Sequence, residues 1–150
     1  AGGVLASDKE YVARLQAQAR GLPVTFVPNC THEQLDHLYN QAKIYWHAAG
    51  YEAATPAAME HFGITTVEAM SAGCVPFSYK AGGQEEIITD GENGMLWLSV
   101  DELVTKTVSL VSDSGVYMRI VTHAKATVGK YSEKKFLQAY DGLLDTITHE

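Results

Sequence analysis

The chain has 150 residues, the length of one ordinary domain. Hydrophobic residues make up 46% of it and charged residues 19%, which supplies one hydrophobic core and excludes disordered and collagen-like chains. The formal net charge of -7 argues against nucleic-acid binding, because a phosphate backbone repels an acidic surface. Two cysteines, Cys30 and Cys74, are too few for a disulfide framework and favour a reducing compartment. No apolar run approaches the ~20 residues of a membrane span, and no signal peptide is visible.

Helical and strand patterns alternate along the chain, and three helices begin with a capping-box sequence. Each box combines a Ser or Thr with a Glu or Gln three residues later, so that both side chains satisfy free helix amides. The boxes lie at residues 7–10, 31–34 and 99–102. Helices are predicted near residues 11–19, 32–42, 63–72, 84–88, 100–111, 116–128 and 133–148. Strands are predicted at residues 24–27, 44–46, 74–79 and 95–98, the third weakened by Pro76.

Short strands that alternate with helices predict an α/β fold, a Rossmann-like parallel sheet with helices on both faces. Ligands of such sheets bind outside the carboxyl ends of the strands. The loops that follow strands are therefore the expected site: residues 28–31, 47–62 and 80–84. The middle loop is too long for a plain connector, and loops of that length are usually functional or mobile.

Two glutamates, Glu60 and Glu68, flank the predicted start of the helix at Gly63. The start of a helix presents unpaired amides and a partial positive charge, which favours phosphate. Gly63 has no side chain, so a ligand can approach its backbone closely. Carboxylates on either side of such amides suit sugars and ribose that carry phosphate. The alternative is that one glutamate only satisfies the helix dipole and the other is only solvated.

The sequence around these glutamates resembles the signature of the retaining glycosyltransferases of family 4 (group 1), which have the GT-B fold. That signature has two glutamates separated by seven residues, then a small-residue helix end, a strand and a double glycine. The matching segments here are residues 60–76, 81–88 and 90–94. Segments 24–27 and 33–39 and the C-terminal helices also fit, so the resemblance covers nearly the whole chain. It implies the C-terminal, donor-binding half of a GT-B enzyme without its first βα unit.

The resemblance implies transfer of a sugar from a UDP- or GDP-sugar to an acceptor hydroxyl, with retention. Glu60 would be the catalytic residue near the donor sugar, and Glu68 would bind the ribose hydroxyls. Three backbone amides would face the donor sugar and its phosphate, with Thr65 near the diphosphate. Those amides belong to Phe62, Gly63 and Ile64. Further donor-binding residues would be Val27 and Pro28 beside the nucleobase, and Gly82 and Gly83 beside the cleft unless they form a plain turn.

Two histidines, His47 and His61, flank the long loop, and each is either a site residue or a structural one. No histidine has a metal-binding spacing and Asp-x-Asp is absent, so neither a metal nor another cofactor is expected. The sequence Glu-His-Phe-Gly at residues 60–63 resembles mannosyltransferases that extend dolichol-linked oligosaccharides, which suggests a GDP-sugar.

The chain also departs from the family pattern. Residues 51–59 form an insertion, and Pro28 stands where relatives often have Gly. The Arg/Lys pair that neutralises the leaving diphosphate in relatives has no counterpart here. We therefore expect a piece of a longer enzyme whose acceptor-binding domain is absent, and which does not catalyse alone. Its expected location is cytoplasmic, with any peripheral membrane contact made through the absent domain.

The last predicted helix, within residues 132–148, carries an apolar stripe. The stripe consists of Phe136, Tyr140, Leu143, Leu144 and Ile147. It packs on this domain's own sheet, or, as the resemblance implies, crosses to the absent domain and promotes self-association when exposed. Two other functions remain open. One is a non-catalytic nucleotide-binding or scaffold module, and the other is a sugar-nucleotide epimerase of the GT-B type.

Overall fold

The structure is a computed structural model that describes residues 1–148. The chain divides into two compact units, Ala1–Leu38 and Tyr39–Glu150. That the chain forms one donor-binding domain stays a prediction from its sequence.

The first unit contains a 3-10 helix (Ala6–Asp8), α1 (Lys9–Gln18) and the start of α2 (His32–Gln41). The predicted box at residues 31–34 is confirmed, because Gln34 N donates to Thr31 Oγ1 at 3.2 Å and Thr31 N donates to Gln34 Oε1 at 2.9 Å. The box at residues 7–10 is wrong. There, Asp8 accepts the Leu5 N–H at 2.8 Å, so the carboxylate starts the turn instead of Ser7.

The predicted strand at residues 24–27 does not form within this unit. Its only described pairing is an isolated parallel bridge between Gly2 and Pro28. The Gly2 N–H donates to the Val27 carbonyl at 3.3 Å, and the Asn29 N–H donates to the Gly2 carbonyl at 2.8 Å. Two hydrogen bonds to one residue are too few to make a strand ladder, although the β-branched sequence favours one.

The second unit is built on a parallel sheet of three strands in the order β1-β2-β3. The strands are β1 (Ile44–His47), β2 (Val75–Tyr79) and β3 (Met95–Trp97). The helices are α3 (Ile64–Ala72), α4 (Gln84–Ile87), α5 (Val100–Ser112), α6 (Ser114–Val128) and α7 (Glu133–Thr148). Single 3-10 turns lie at Pro56–Ala58 and Gly129–Tyr131.

Both faces of the sheet are covered, as the sequence predicts. On one face, Phe77 and Trp97 form a core with residues of α5 and α6. On the other face, Leu96 packs with Met70 of α3 and with residues of α4 and α6. Neighbouring residues of β3 thus serve opposite cores, because successive strand side chains alternate between faces.

Pro76 lies in the central strand, although its missing N–H argues for an edge position. The pairing of β2 with β3 begins only at Phe77 and Met95, so Pro76 precedes that ladder. Gly94 makes room for the ring, since a Cβ there would lie 2.8 Å from Pro76 Cγ. The proline therefore costs the sheet no ladder hydrogen bond with β3.

Candidate functional site

The carboxyl ends of β1 and β2 lead into the loop 48–62 and the turn 80–83 of the second unit. Trp46 faces α5, where its Nε1 donates to Thr107 Oγ1 at 3.2 Å. By alternation, Tyr45 and His47 face the opposite side, towards α3. The Tyr45 hydroxyl donates to Thr65 Oγ1 at 2.9 Å, which places that face of β1 against the first turn of α3.

Glu60 lies directly in front of α3. Its Oε1 accepts hydrogen bonds from the backbone N–H of Phe62 at 3.2 Å and of Gly63 at 3.1 Å. Its Oε2 lies 3.4 Å from His47 Nε2, and 28% of the Glu60 side chain stays exposed. The loop therefore holds one carboxylate oxygen on two amides and leaves part of the group open to solvent.

The environment of Glu60 keeps its carboxyl ionised. Partial burial acts to raise its pKa, but the N–H groups of Phe62 and Gly63 and the nearby His47 hold the pKa below its ordinary value. The pKa of His47 is also lowered, chiefly by burial, against the opposing effect of Glu60. The pair is therefore a carboxylate beside a neutral imidazole at neutral pH.

The first turn of α3 keeps two backbone donors open. Thr66 N and Val67 N both donate to the Gly63 carbonyl, at 3.0 and 3.2 Å. Within residues 1–148, the N–H groups of Ile64 and Thr65 have no such partner. Of the amides that the sequence assigns to the donor, those of Phe62 and Gly63 are occupied by Glu60, and that of Ile64 is open.

Gly63 adopts a left-handed backbone, with φ of 93°. A Cβ there would lie 2.7 Å from Gln84 Nε2 and 2.9 Å from Ile87 Cδ1. Glycine is thus required both for the turn into α3 and for the close approach of α4.

Gly82 and Gly83 support the loop that carries Glu60. A Cβ on Gly82 would overlap the Glu60 carbonyl oxygen, and a Cβ on Gly83 would overlap that of His61. The Gly83 N–H donates to the Glu60 carbonyl at 2.9 Å. The double glycine is therefore more than a plain turn, since it allows two backbone segments to touch; its contact with a donor stays a prediction.

Glu68 and His61 differ from Glu60 and His47 in their surroundings. Both Glu68 and His61 are exposed, and within residues 1–148 no hydrogen bond or ion pair holds the Glu68 carboxylate. Glu68 is near enough to Tyr45 to contribute to the raised pKa of that phenol, which is due mainly to burial. The structure thus brings His47 to Glu60 and leaves the His61 side chain at the surface.

The sequence did not predict a group of buried polar side chains that lies beneath the site. Thr66 Oγ1 donates to Gln84 Oε1 at 3.0 Å, and both residues are buried. His47 Nδ1, Ser78 Oγ and Gln84 Nε2 are buried without a hydrogen-bond partner among the described residues. Polar residues at the α3-facing positions of two strands were the available signal.

Val27 and Pro28 belong to the first unit. There they line an apolar cavity of about 550 Å³ together with Tyr11 and Val12 of α1. Their predicted contact with a nucleobase stays a prediction.

Within residues 1–148, no three His, Cys, Asp or Glu side chains lie together as ligands for a metal ion. The same residues form no helix with the length and apolar character needed to cross a membrane.

The carboxyl edge of the parallel sheet thus combines a carboxylate with open helix amides, which are suited to an anion such as phosphate, in a protein of the α/β class. Comparison with known proteins identifies the family. The model of the family described as glycosyl transferases group 1 matches residues 1–135, and the chain belongs to that family. The fold is accordingly the Rossmann-like GT-B fold.

Two curated relatives are GDP-Man:Man(3)GlcNAc(2)-PP-Dol alpha-1,2-mannosyltransferases. The one from Dictyostelium discoideum is 27% identical over 135 residues, which is 87% of this chain and 25% of the relative. The one from Xenopus laevis is 30% identical over 123 residues, 77% of this chain and 23% of the relative. The chain thus spans about a quarter of the length of these relatives.

Solved structures agree on the fold. The C-terminal domain of the group 1 glycosyl transferase LpcC from Francisella tularensis is 25% identical, with a TM-score of 0.67 over 86% of this chain and 66% of that chain. Anabaena HepE, in complex with UDP and glucose, has a TM-score of 0.78 at 22% identity, over 99% of this chain and 39% of that chain. The second likeness concerns the fold alone.

Proposed function

We propose that this chain is the donor-binding part of a retaining hexosyltransferase and that it binds a UDP- or GDP-sugar at the start of α3. The observation that carries the proposal is the open pair of amides at Ile64 and Thr65, beside a fixed carboxylate at Glu60. Helix-start amides bind phosphate through their N–H groups and the helix dipole. Carboxylates accept hydrogen bonds from sugar hydroxyls.

The roles divide along α3. The Ile64 and Thr65 amides and the Thr65 hydroxyl bind the diphosphate. Glu60 Oε2 and the exposed part of its carboxylate accept from the hydroxyls of the donor sugar. Glu68, on the second turn of α3 and without a partner in the described chain, accepts from the ribose hydroxyls.

In the reaction, an acceptor hydroxyl oxygen bonds to the anomeric carbon as the bond from that carbon to the diphosphate breaks, and the hydroxyl proton passes to the departing diphosphate. Negative charge grows on the departing diphosphate, and amides already aimed at it stabilise the transition state. Within residues 1–148, no Lys or Arg side chain forms a hydrogen bond or an ion pair with Glu60 or with the first turn of α3, where the basic residues expected in this family would act. They belong to the proposed rest of the enzyme.

The mannosyltransferase relatives are described with GDP-Man, which supports a GDP-sugar. The HepE structure contains UDP and glucose, which supports a UDP-sugar. Since the mannosyltransferase relatives are about three to four times as long as this chain, we propose that an acceptor-binding domain lies elsewhere in the protein. The free thiols of Cys30 and Cys74 support a cytoplasmic location.

The apolar face of α7 supports contact with that further domain or self-association. Phe136 is 67% exposed and Ile147 is 63% exposed. Light scattering at rising protein concentration tests self-association. A molecular weight that stays that of one chain, in wild type and in Phe136→Gln alike, would refute it.

The function is tested by NMR titration of this chain with UDP, GDP and ADP. Saturable shifts of the Ile64 and Thr65 amides are expected with UDP or GDP. Glu68→Ala should weaken that binding roughly tenfold, because a pair of hydrogen bonds to an ionised group is lost. Glu92→Ala is the matched control, since Glu92 is an exposed glutamate in the turn before β3. The absence of saturable shifts with all three nucleotides would contradict the proposal.

A further inference from the structure

His47 is the most enclosed ionisable group beside Glu60. It ends β1, is 9% exposed, and points its Nε2 at Glu60 Oε2 across 3.4 Å. That distance is long for a hydrogen bond, and such bonds at enzyme sites often shorten only when the substrate is bound. The other Glu60 oxygen accepts from two amides, so His47 faces the oxygen that these two bonds leave free.

The geometry also selects one form of the imidazole. An Nε2 that faces a carboxylate must carry the proton, so in the neutral ring Nδ1 is an acceptor. That Nδ1 is buried and has no donor among the described residues. Leaving it unpaired would cost free energy that a nearby donor can recover.

Ser78 is placed to be that donor. It is the register partner of His47 on the neighbouring strand, so both side chains leave the sheet on the same face. Adjacent strands are about 4.8 Å apart, a gap that one buried water or a change of the Ser78 side-chain rotamer can bridge. The Ser78 Oγ is fully buried and likewise has no partner among residues 1–148.

We propose that Ser78, His47 and Glu60 form one hydrogen-bonded row in which His47 is a positioning residue. The Ser78 hydroxyl donates to His47 Nδ1, and His47 Nε2–H donates to Glu60 Oε2. The row fixes the plane of the Glu60 carboxylate, and thereby the hydroxyl pattern of the sugar it accepts. What Glu60 touches rests on the proposed function, whereas the row itself is a property of the free chain.

The row is tested first without any ligand, by ¹⁵N NMR of the His47 ring near pH 7.5. We expect a neutral ring with its proton on Nε2. Ser78→Ala should shift the Nδ1 resonance and Glu60→Gln the Nε2 resonance, while Ser71→Ala, an exposed serine on α3, should shift neither. A proton on Nδ1, or ring ¹⁵N shifts that stay the same in both Ser78→Ala and Glu60→Gln, would overturn the proposal.

The positioning role is tested by comparing ligands with and without the sugar. UDP is compared with UDP-glucose, and GDP with GDP-mannose, by calorimetry on this chain. His47→Phe keeps an aromatic ring at this position but has no N–H donor. It should weaken binding of the sugar nucleotide roughly five- to tenfold and leave the affinity for the nucleotide unchanged. His47→Gln, which has an amide donor, should restore much of the loss.

Equal losses for nucleotide and sugar nucleotide would make His47 a merely structural residue and overturn its assigned role. Should His47→Phe fail to fold, Ser78→Ala carries the same comparison, with a smaller expected loss of roughly two- to threefold for the sugar nucleotide only. If wild type binds none of the four ligands, the proposed function fails, while the ring ¹⁵N spectrum still decides whether the row exists.

Discussion

The turn before β3 and the loop between β1 and α3 both border the sheet, yet they differ in how far their polar groups are paired by hydrogen bonds. In the turn, the buried Asn93 amide uses all of its groups. Its Oδ1 accepts from Thr89 N at 2.8 Å, and its Nδ2 donates to the Ile87 carbonyl and to Thr127 Oγ1, each at 3.0 Å. The Asn93 amide is thus paired entirely inside the protein.

The neighbouring Asp90 completes the closed network of the turn. Its Oδ1 accepts from Leu96 N at 2.8 Å, and its Oδ2 pairs with Lys106 Nζ at 2.9 Å. Lys106 also reaches Glu102 one helical turn away, at 2.9 Å. This network ties the turn to β3 and α5 and so stabilises the fold.

The loop in front of α3 is the opposite case. It leaves the Ile64 and Thr65 amides open, and His47 Nδ1 lies buried beneath it without a partner among the described residues. Unsatisfied donors and acceptors cost stability unless something else pairs with them. The turn thus stabilises the fold, whereas the loop has groups available for the binding proposed above, and the two regions should respond differently to substitution.

The largest effect is expected for Gly83→Ala. The new Cβ would overlap the His61 carbonyl oxygen and force the loop away from its support, which should lower the free energy of unfolding by about 2–3 kcal/mol. Nucleotide binding should fall with it. Gly142→Ala is the control: nothing lies within 4 Å of that helical position, so it should stabilise by about 0.5–1 kcal/mol. Urea denaturation measures both; equal effects would refute the close approach.

Asn93→Ala should separate stability from binding. It leaves the Thr89 N–H and the Ile87 carbonyl without their buried partner, which should lower the free energy of unfolding by about 2 kcal/mol. The affinity for UDP or GDP should stay within twofold of wild type, because the turn makes no part of the proposed cleft. A loss of affinity as large as that of Glu68→Ala would erase the distinction between the two regions.

Much of the fold could be predicted because local signals agreed with it. Ser99 Oγ accepts from Glu102 N at 3.2 Å and starts α5 where the sequence places it, although the Glu102 carboxylate binds the Leu98 N–H instead of that of Ser99. Gly73, with φ of 95°, ends α3 as expected. Hydrophobic periodicity and helix capping depend on residues that are close in the chain, so they can be predicted from the sequence alone.

The parts that sequence did not predict depend on distant partners. Pro76 fits in the central strand because it precedes the ladder with β3 and because Gly94, 18 residues later in the chain, leaves room for its ring. The spacing of Glu60 predicts a place near the helix start, but its second partner, His47, comes from the end of β1. Ser78 lies beside His47 only because of the register between β1 and β2, and no local sequence pattern specifies that register.

Glu60→Gln should reduce ligand affinity more than stability, the opposite of the effect expected for Asn93→Ala. The amide oxygen of Gln can still accept from the Phe62 and Gly63 N–H groups, so the free energy of unfolding should fall by no more than about 1 kcal/mol. The affinity for UDP-glucose or GDP-mannose should fall roughly tenfold, because the charged acceptor is lost. In an enzyme that includes the acceptor-binding part, turnover should fall more than tenfold. Near-wild-type turnover would refute the role of Glu60.

The smallest effect is the dependence of stability on pH. The pKa of His47 in the folded chain lies below its ordinary value of 6.5, chiefly through burial, so the unfolded chain binds protons first as the pH falls. The free energy of unfolding should therefore decline as the pH falls below about 6.5 towards the folded-state pKa. Glu60, whose pKa also lies below its ordinary value of 4.5, adds a second decline in the same direction below that pH.

His47→Gln isolates the first decline. Glu60 and Tyr45 are the titratable groups that face His47, and Tyr45 does not titrate in this range because burial raises its pKa above 10.0. The slope of the unfolding free energy between pH 5 and 7 should therefore be shallower in His47→Gln than in wild type. Identical slopes would mean that folding does not lower the pKa of His47, and would contradict the effect of burial on this imidazole.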